Sequence, residues 1–360
     1  MSTKQQKKVI LFDCHTFDVG AHGTTTYLQG IINNLEHQKE NIEIVCCSSS
    51  KKNIEKYLNV PFKFYKSYKN FILRNVISIP FISIACNADF VVSQYIRPIF
   101  CRGKTISCIH DVLFIDFKKD FSIFFRFSRT LFYGLSAKFS DYIITTSNYT
   151  TNRIIDVFNV KRSKIYLTTC EANFSKAETL INSNEIKLLT VSRFEKRKRL
   201  ELSIKALEYL KERNYDVSLT IVGSGTDDYY KKIKEIIKTN KFKESIVHLE
   251  NIDDDMLESV YQQSHIFLFP SRSEGFGIPV IEALSTNTIP IVANNTALKE
   301  IEIVGEFFDT EDEKEFFEKI KIVIDNYEQY LKKLDLSSDT LLDKYSWKYA
   351  SGVFLKIFRN

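Results

Sequence analysis

Breakers of regular structure are scarce in this sequence. With 11 Gly and 6 Pro among 360 residues, collagen-like and low-complexity architectures are excluded. Cysteine is present but not organised. The seven Cys include the adjacent Cys46 and Cys47 and no Cys-x-x-Cys spacing, so neither a disulfide framework nor a zinc site is expected, and a reducing, cytoplasmic setting is the simplest reading. The six His form no His-x-x-x-His pair, and no protein-bound catalytic metal is expected. Long apolar runs are missing too. Nowhere do about 18 apolar residues follow one another, which argues against a transmembrane helix. The apolar Val9–Phe12 after the lysine-rich start is too short for a signal-peptide core. Any membrane contact is therefore expected to be peripheral, at the inner face. Nor does one sign of charge prevail: 50 Lys and Arg against 45 Asp and Glu give +5, too little for a dedicated nucleic-acid binder.

What the chain does have is apolar residues for a large core, 44% of the total, in a length well above the roughly 150 residues of one domain. Two domains are expected. Short β-branched and aromatic runs alternate with stretches of helical period, the pattern of parallel sheets covered by helices on both faces. Strands are expected at Val9–Phe12, Ile42–Cys47, Phe62–Tyr65, Phe90–Ser93, Thr105–Ile109, Tyr142–Thr145 and Lys164–Thr168. After the polar Ser175–Asn184 the pattern restarts at Lys187–Val191, Val217–Val222, Ile246–Leu249, Ile266–Phe269, Ile289–Ala293 and Glu306–Phe308. The fold class is therefore α/β, with two Rossmann-like, doubly wound parallel-sheet domains at 1–178 and 182–343. A ligand is expected in a central cleft where the C-terminal ends of both sheets converge. A last helix within 345–360, joined to the first domain, puts Trp347, Val353, Phe354 and Ile357 on one apolar stripe and reads as a packing helix.

The densest chemical signal runs from Phe269 to Ala283, Phe-Pro-Ser-Arg-Ser-Glu-Gly-Phe-Gly-Ile-Pro-Val-Ile-Glu-Ala. A strand ends at Pro270, Gly275 and Gly277 permit close backbone approach, and a helix starts near Ile278 with free amides facing the turn. Such a turn suits an anion or sugar hydroxyls. Glu274 lies in the loop and Glu282 in the helix. A solvated surface role is the ordinary reading of an isolated Glu; the Gly-Phe-Gly after a buried strand makes it the weaker one here. The second signal, Arg193-Phe194-Glu195-Lys196-Arg197-Lys198-Arg199, places five bases in seven residues just after a strand, repulsive unless an anion or solvent screens them. Arg offers a fork for phosphate oxygens and Lys a point charge. A solvated helix start accounts for Lys196, Arg197 and Arg199.

Other segments are less specific. Gly223-Ser224-Gly225 follows a strand but lacks the third glycine of a dinucleotide fingerprint, and reads as a tight turn. The loop Gly20–Tyr27, with Gly23, either wraps a phosphate or makes a turn with an N-cap. His110-Asp111 ends a strand, where function concentrates in parallel sheets, although a lone His is more often structural. Asp253-Asp254-Asp255 and Asp227-Asp228 read as helix N-caps rather than metal ligands.

In combination these segments resemble the family 4 retaining glycosyltransferases of the GT-B fold. From His110 to Phe114 the chain is similar to bacterial polysaccharide mannosyltransferases. The resemblance spans nearly the whole chain and is strongest from Lys187 to Glu300. Its elements stand in the family's order: Glu-x7-Glu at Glu274 and Glu282, Arg193 with Lys198, the Gly223–Gly225 turn, His110-Asp111, Ile144–Ser147 and Trp347. It implies a metal-independent, retaining hexosyltransferase with a nucleotide-sugar donor and no cofactor. Arg193 and Lys198 would bind the diphosphate and neutralise charge on the leaving group. Glu282 would accept from ribose hydroxyls, and Glu274, with the Gly275 turn and the amides of Phe276 and Gly277, would hold the donor sugar. Gly23 would face the phosphates, His110 the sugar near the reacting carbon, Gly223 the nucleotide, and Asn251 the region where the base is read. The implied reaction is front-face attack by an acceptor hydroxyl, with a phosphate oxygen as base.

Two departures from the family pattern stand out: His22 replaces a glycine next to Gly23, and Glu250-Asn251 replaces small residues, which leaves the base open. The likeness to mannosyltransferases leans toward GDP-mannose over UDP-sugars. Two other readings are a non-catalytic sugar-nucleotide-binding partner subunit of the same fold, and a UDP-sugar-dependent transferase acting on protein or small-molecule acceptors.

The charge is unevenly spread. Residues 1–180 hold 24 Lys and Arg against 14 Asp and Glu, and residues 181–360 hold 26 against 31. In the family the first domain receives the acceptor, so a basic first half favours a lipid-linked or otherwise anionic glycan acceptor in cell-surface polysaccharide synthesis. Phe114–Phe139 carries many Phe with Lys118, Lys119, Arg126, Arg129 and Lys138. It reads two ways: a surface for an anionic membrane, or Phe packed in the first domain's core.

Overall fold

The computed structural model describes residues 7–20, 22–36, 41–172, 174–175 and 185–359. The lysine-rich start up to residue 6 and the polar boundary stretch from 176 to 184 lie outside the described residues. The chain forms two units, one running to Cys170 and taking back the chain from Ser346, the other spanning Glu171–Tyr345. The passage between them comes ahead of the expected 178 for a local reason. Phe174 packs on Tyr261, with ring centroids 5.7 Å apart, and the Ser175 amide and hydroxyl donate to Glu258, so this stretch is already bound into the second unit.

In the first unit the strands are β1 (Lys8–Asp13), β2 (Ile42–Ser48), β3 (Lys63–Lys66), β4 (Phe90–Gln94), β5 (Lys104–Cys108), β6 (Tyr142–Thr145) and β7 (Ile165–Leu167). They form a parallel sheet in the order β3-β2-β1-β4-β5-β6-β7. β1 pairs with β2, Lys8 beside Ile42, and with β4, Phe12 beside Val92, so the order reverses between β1 and β4. In the second unit β8 (Ile186–Val191), β9 (Val217–Val222), β10 (Ile246–Leu249), β11 (Ile266–Phe269), β12 (Ile289–Ala293) and β13 (Glu306–Phe308) form a parallel sheet in the order β10-β9-β8-β11-β12-β13. Every expected strand is present. Where ends differ they do so by one residue, as at Asp13, Ser48 and Gln94, polar groups that carry the ladder past the apolar run. Continuous burial of strands such as Phe90–Gln94 and Ile289–Ala293 is what helices on both faces require.

Helix starts follow from capping. Ser122, Ser147, Asp227, Asp253 and Asp312 each accept an amide hydrogen bond at an N-terminus. The acid runs at Asp227 and Asp253 are thus caps. The final helix, Trp347–Arg359, belongs to the first unit, where Trp347 is 3% exposed against Gly30 of the helix Gly23–Asn33. A Cβ at Gly30 would come within 2.2 Å of the indole, so the missing side chain is what seats the tryptophan. Between β3 and β4 the chain is helical through Phe71–Leu73, a π turn at Arg74–Ser78, and Ile79–Ala85, a stretch with no counterpart among the sequence expectations.

Candidate functional site

In the second sheet β8 lies between β9 and β11, so the chain connections run to opposite sides there and open a crevice at the C-terminal strand ends. Two loops leave that edge side by side. After β8 the chain passes Ser192–Glu195, makes a tight turn at Lys196–Lys198 and reverses at Arg199, whose φ of 53° is left-handed. After β11 it forms a loop that ends at Gly277, φ 122°, before the helix Ile278–Ser285. The Arg272 amide donates to the Arg197 carbonyl at 2.8 Å and ties the loops together.

Within this frame Lys198 Nζ lies 2.5 Å from Glu274 Oε1, and Arg197 Nη1 lies 3.1 Å from Oε2 while donating to the Ser273 carbonyl at 2.7 Å. Glu195 holds the rest of the Arg197 guanidinium, at 2.9 Å from Nε and 2.8 Å from Nη2. From the end of β12 the Thr296 hydroxyl accepts the Glu274 amide at 3.0 Å and donates to Asn295 Oδ1 at 2.9 Å. Asn295 in turn donates to the Ser271 carbonyl at 2.8 Å. Loops from β8 and β12 therefore hold Glu274 of the β11 loop, the first at its carboxylate and the second at its backbone amide.

Burial alone would raise the pKa of Glu274; the Lys198 ammonium, and then Arg197, overrule it and hold the carboxyl at about 2. Burial pushes Lys198 below the usual lysine range against the pull of Glu274. The pair is charged at neutral pH because each partner compensates the other's desolvation. Glu282 has a different setting. Tyr261 donates to its Oε2 at 2.9 Å, yet desolvation dominates and moves its pKa up to about 7.

The neighbouring β9 loop closes on this edge through Gly223. At φ 138° a Cβ there would stand 1.9 Å from the Ser192 carbonyl oxygen, so the β8 and β9 loops meet backbone to backbone and only glycine fits. Phe194 stacks on His248 at 5.0 Å, and His248 Nε2 reaches the Gly223 carbonyl at 2.9 Å. Asn251, exposed and left-handed at φ 54°, follows Glu250, which accepts from Tyr230 and Lys234. Phe276, beside Gly275, packs edge-on to Tyr345 at 6.1 Å.

In the first unit His110 follows β5. Its Nε2 donates to Gln94 Oε1 at 2.8 Å, and the rings of Tyr27 and Tyr95 stand edge-on at 4.5 and 5.4 Å. Desolvation lowers its pKa to about 3, so the imidazole is neutral. Gly23 is the first residue of its helix, and His22 is the cap, accepting from the Thr25 amide. The Thr25 hydroxyl donates to the Gly20 carbonyl at 2.9 Å. Ala21 lies outside the described residues.

Of the residues singled out in the sequence, the structure brings Lys198 and Glu274 into direct contact. It leaves Arg193 in solvent, its side chain 77% exposed and 3.6 Å from Glu195. Glu282 sits apart with Tyr261, and Gly23 and His110 belong to the first unit. The expectation of solvated Arg197 and Arg199 is corrected. Arg197 clamps Glu274 and Glu195, and Arg199 is buried, donating to the Thr310 carbonyl and lying 3.6 Å from Glu313, because the left-handed turn swings it inward. Lys196 is exposed. Thr296 and Tyr261 escaped the sequence reading. The polar run Asn294-Asn295-Thr296 at the end of a buried strand was a usable signal for the first; nothing marked the second. Among the described residues no group of three His, Cys, Asp or Glu is placed to hold a metal ion, and no helix is long and apolar enough to cross a membrane.

Residues 171–335, most of the second unit, match the family of glycosyl transferases group 1. The O-antigen chain mannosyltransferase RfbU of Salmonella typhimurium is 24% identical over 249 residues, 66% of this chain and 67% of that protein. The O-antigen biosynthesis glycosyltransferase WclY of Escherichia coli is 26% identical over 239 residues, 61% of this chain and 64% of that protein. The chain thus spans about two thirds of the length of these relatives. A solved glycosyltransferase from Rickettsia africae ESF-5 shares the fold, with a TM-score of 0.79 at 18% identity over 99% of this chain and 98% of that one.

Proposed function

From the match of residues 171–335 to the glycosyl transferases group 1 and the two Rossmann-like units of the GT-B fold, we propose that this chain moves a hexose from a nucleotide-sugar to a hydroxyl acceptor without a metal ion and with retention at the anomeric carbon. The observation that carries this reading is Glu274, buried between Lys198 and Arg197 at the crevice beside β8 and β11. With Arg193 beside Glu195, the cluster has three cations to two carboxylates, which keeps positive charge available for a diphosphate while offering an acceptor for sugar hydroxyls.

In the proposed reaction the bond from C1 to the donor phosphate breaks and its electron pair leaves with the nucleoside diphosphate. Lys198, with Arg193 reaching in from solvent, neutralises that charge. The acceptor oxygen bonds to C1 from the same face and its proton passes to a phosphate oxygen. Glu274 and the amides of Phe276 and Gly277 hold the sugar, and Glu282 accepts from the ribose hydroxyls once ionised. Gly223 lets the nucleotide approach backbone, Asn251 lies where the base is read, and His110 and Gly23 serve from the first unit.

A mannosyl donor, GDP-mannose, is supported by the name of the Salmonella relative and by the His110–Phe114 likeness; a lipid-linked glycan acceptor is supported by the O-antigen relatives and the basic first unit. The non-catalytic reading is disfavoured because the polar residues of the site are all present. Labelled GDP-mannose, UDP-glucose and UDP-N-acetylglucosamine, incubated with the protein in a chelator, test the proposal. Nucleoside diphosphate release from a donor, with an α-linked product from an α-linked donor by NMR, is expected. Binding without release from any donor supports the partner-subunit reading, and inversion or loss of release in chelator overturns the mechanism.

A further inference from the structure

The first unit presents an apolar surface that its own core does not explain. The helical stretch from Phe71 to Ala85 is apolar on both sides: Ile79 and Ile82 are buried together with Arg74, Asn75, Ser78 and Ser83, while Ile72, Val76, Ile77, Phe81 and Ile84 are exposed, Phe81 at 71%. A helix on a soluble core ordinarily turns a polar face outward. The buried polar groups serve the chain beside them. The Tyr68 amide donates to the Ser78 hydroxyl at 3.1 Å and the Arg102 amide to the Ser83 hydroxyl at 2.9 Å, and Arg74 Nε lies 3.4 Å from the buried Asp13.

The same loop joins a second apolar helix. The Arg97 amide donates to Ser136 at 3.0 Å and its guanidinium to the Phe139 carbonyl at 2.8 Å, and Phe71 meets Phe132 edge-on at 5.5 Å. On the helix Ile123–Phe139 the residues Phe124, Phe127, Leu131, Leu135 and Phe139, spaced by three and four, form one exposed stripe. Ile99 and Phe100, 69% and 55% exposed, lie in the connecting loop. Single exposed apolar residues are ordinary, but stripes on adjoining segments mark a contact surface.

Charge identifies the occupant. Residues 66–140 hold eleven Lys and Arg against four Asp and Glu, with Lys69, Arg102, Lys118, Lys119 and Lys138 exposed. A second copy of this chain would bring the same positive charge to the contact, whereas acidic lipid headgroups bring the opposite one. We propose that the surface formed by 71–85, 99–100 and 124–139 docks the first unit peripherally on an anionic phospholipid bilayer, its apolar side chains entering the headgroup layer and its lysines meeting the phosphates. This goes beyond the transfer reaction, and its test reads binding without turnover.

The full chain is sedimented with vesicles of phosphatidylglycerol and phosphatidylcholine, or of phosphatidylcholine alone, at low and high salt. Binding is expected to the anionic vesicles and to weaken with salt. The pair Ile77→Ser and Phe81→Ser, and separately Phe124→Ser and Phe127→Ser, are each expected to weaken it about tenfold or more, with circular dichroism unchanged. Ile322→Ser, on an exposed position of the second unit, is expected to bind as wild type. Absence of binding to anionic vesicles at low salt, or unchanged binding by either pair, overturns the proposal. A dimer in sedimentation velocity that the same substitutions dissociate, without vesicle binding, assigns the surface to a second copy instead.

Discussion

Glu274→Gln removes one charge and keeps the volume of the side chain. In the wild type this carboxylate is buried, 2.5 Å from Lys198 and 3.1 Å from Arg197, and its pKa is about 2 against an ordinary 4.5. That difference corresponds to about 3 kcal/mol of pairing at neutral pH. Because the folded-state value is depressed, the contribution is present above 4.5 and is lost as pH falls toward 2. The variant is therefore expected to be less stable by up to about 3 kcal/mol at pH 7, with the gap closing below about pH 4.5. A second effect has the opposite sign. Lys198 loses its counter-charge while Arg197 keeps only Glu195, so a nucleoside diphosphate meets one uncompensated cation beside a half-released one. If half of the pairing energy is released to the ligand, GDP or UDP binds about tenfold more tightly, while turnover falls because the sugar loses a charged acceptor. Urea unfolding across this pH range and calorimetric titration with the nucleotide measure both. A variant as stable as wild type at pH 7, and no tighter in binding, would refute the shared-carboxylate argument.

Other outcomes follow from the same geometry. Glu282 titrates at about 7, so donor affinity is expected to rise as pH increases from 6 to 8 and the carboxylate becomes able to accept both ribose hydroxyls. Glu282→Gln keeps the Tyr261 hydrogen bond and should flatten that profile; a profile that persists in the variant assigns the titration elsewhere. Gly223→Ala would place a Cβ 1.9 Å from the Ser192 carbonyl in a backbone conformation that side chains avoid, a cost of about 3 kcal/mol or more. It is expected to lower the thermal unfolding midpoint of the second unit, and an unchanged midpoint contradicts the contact. Trp347→Ala should destabilise the first unit by about 3–5 kcal/mol, read by unfolding followed through the Gly23–Asn33 helix.

The sheets were legible because their strands are buried on both faces and therefore appear as uninterrupted runs such as Phe267-Leu268-Phe269 and Ile143-Ile144. Loops next to those runs could be identified as site candidates for the same reason. What the sequence left open depends on turns that redirect side chains. The left-handed residue at Arg199 decides that Arg197 and Arg199 turn inward while Lys196 stays in solvent, and nothing in a run of alternating bases distinguishes them. Thr296 became visible only once β12 lay two strands from β8. The exposed apolar face around Phe81 escapes for a different reason: its residues have helical spacing, but periodicity does not say which face is inside, and here both faces carry apolar residues.

The most direct test of donor binding and leaving-group stabilisation at Lys198 is single-turnover release of nucleoside diphosphate by wild type and by Lys198→Ala, with whichever donor the wild type consumes. Loss of one preorganised charge at the leaving group is expected to slow release by about 100-fold or more, in a variant whose circular dichroism is unchanged. Equal rates in the two proteins would contradict it and place the phosphate site elsewhere.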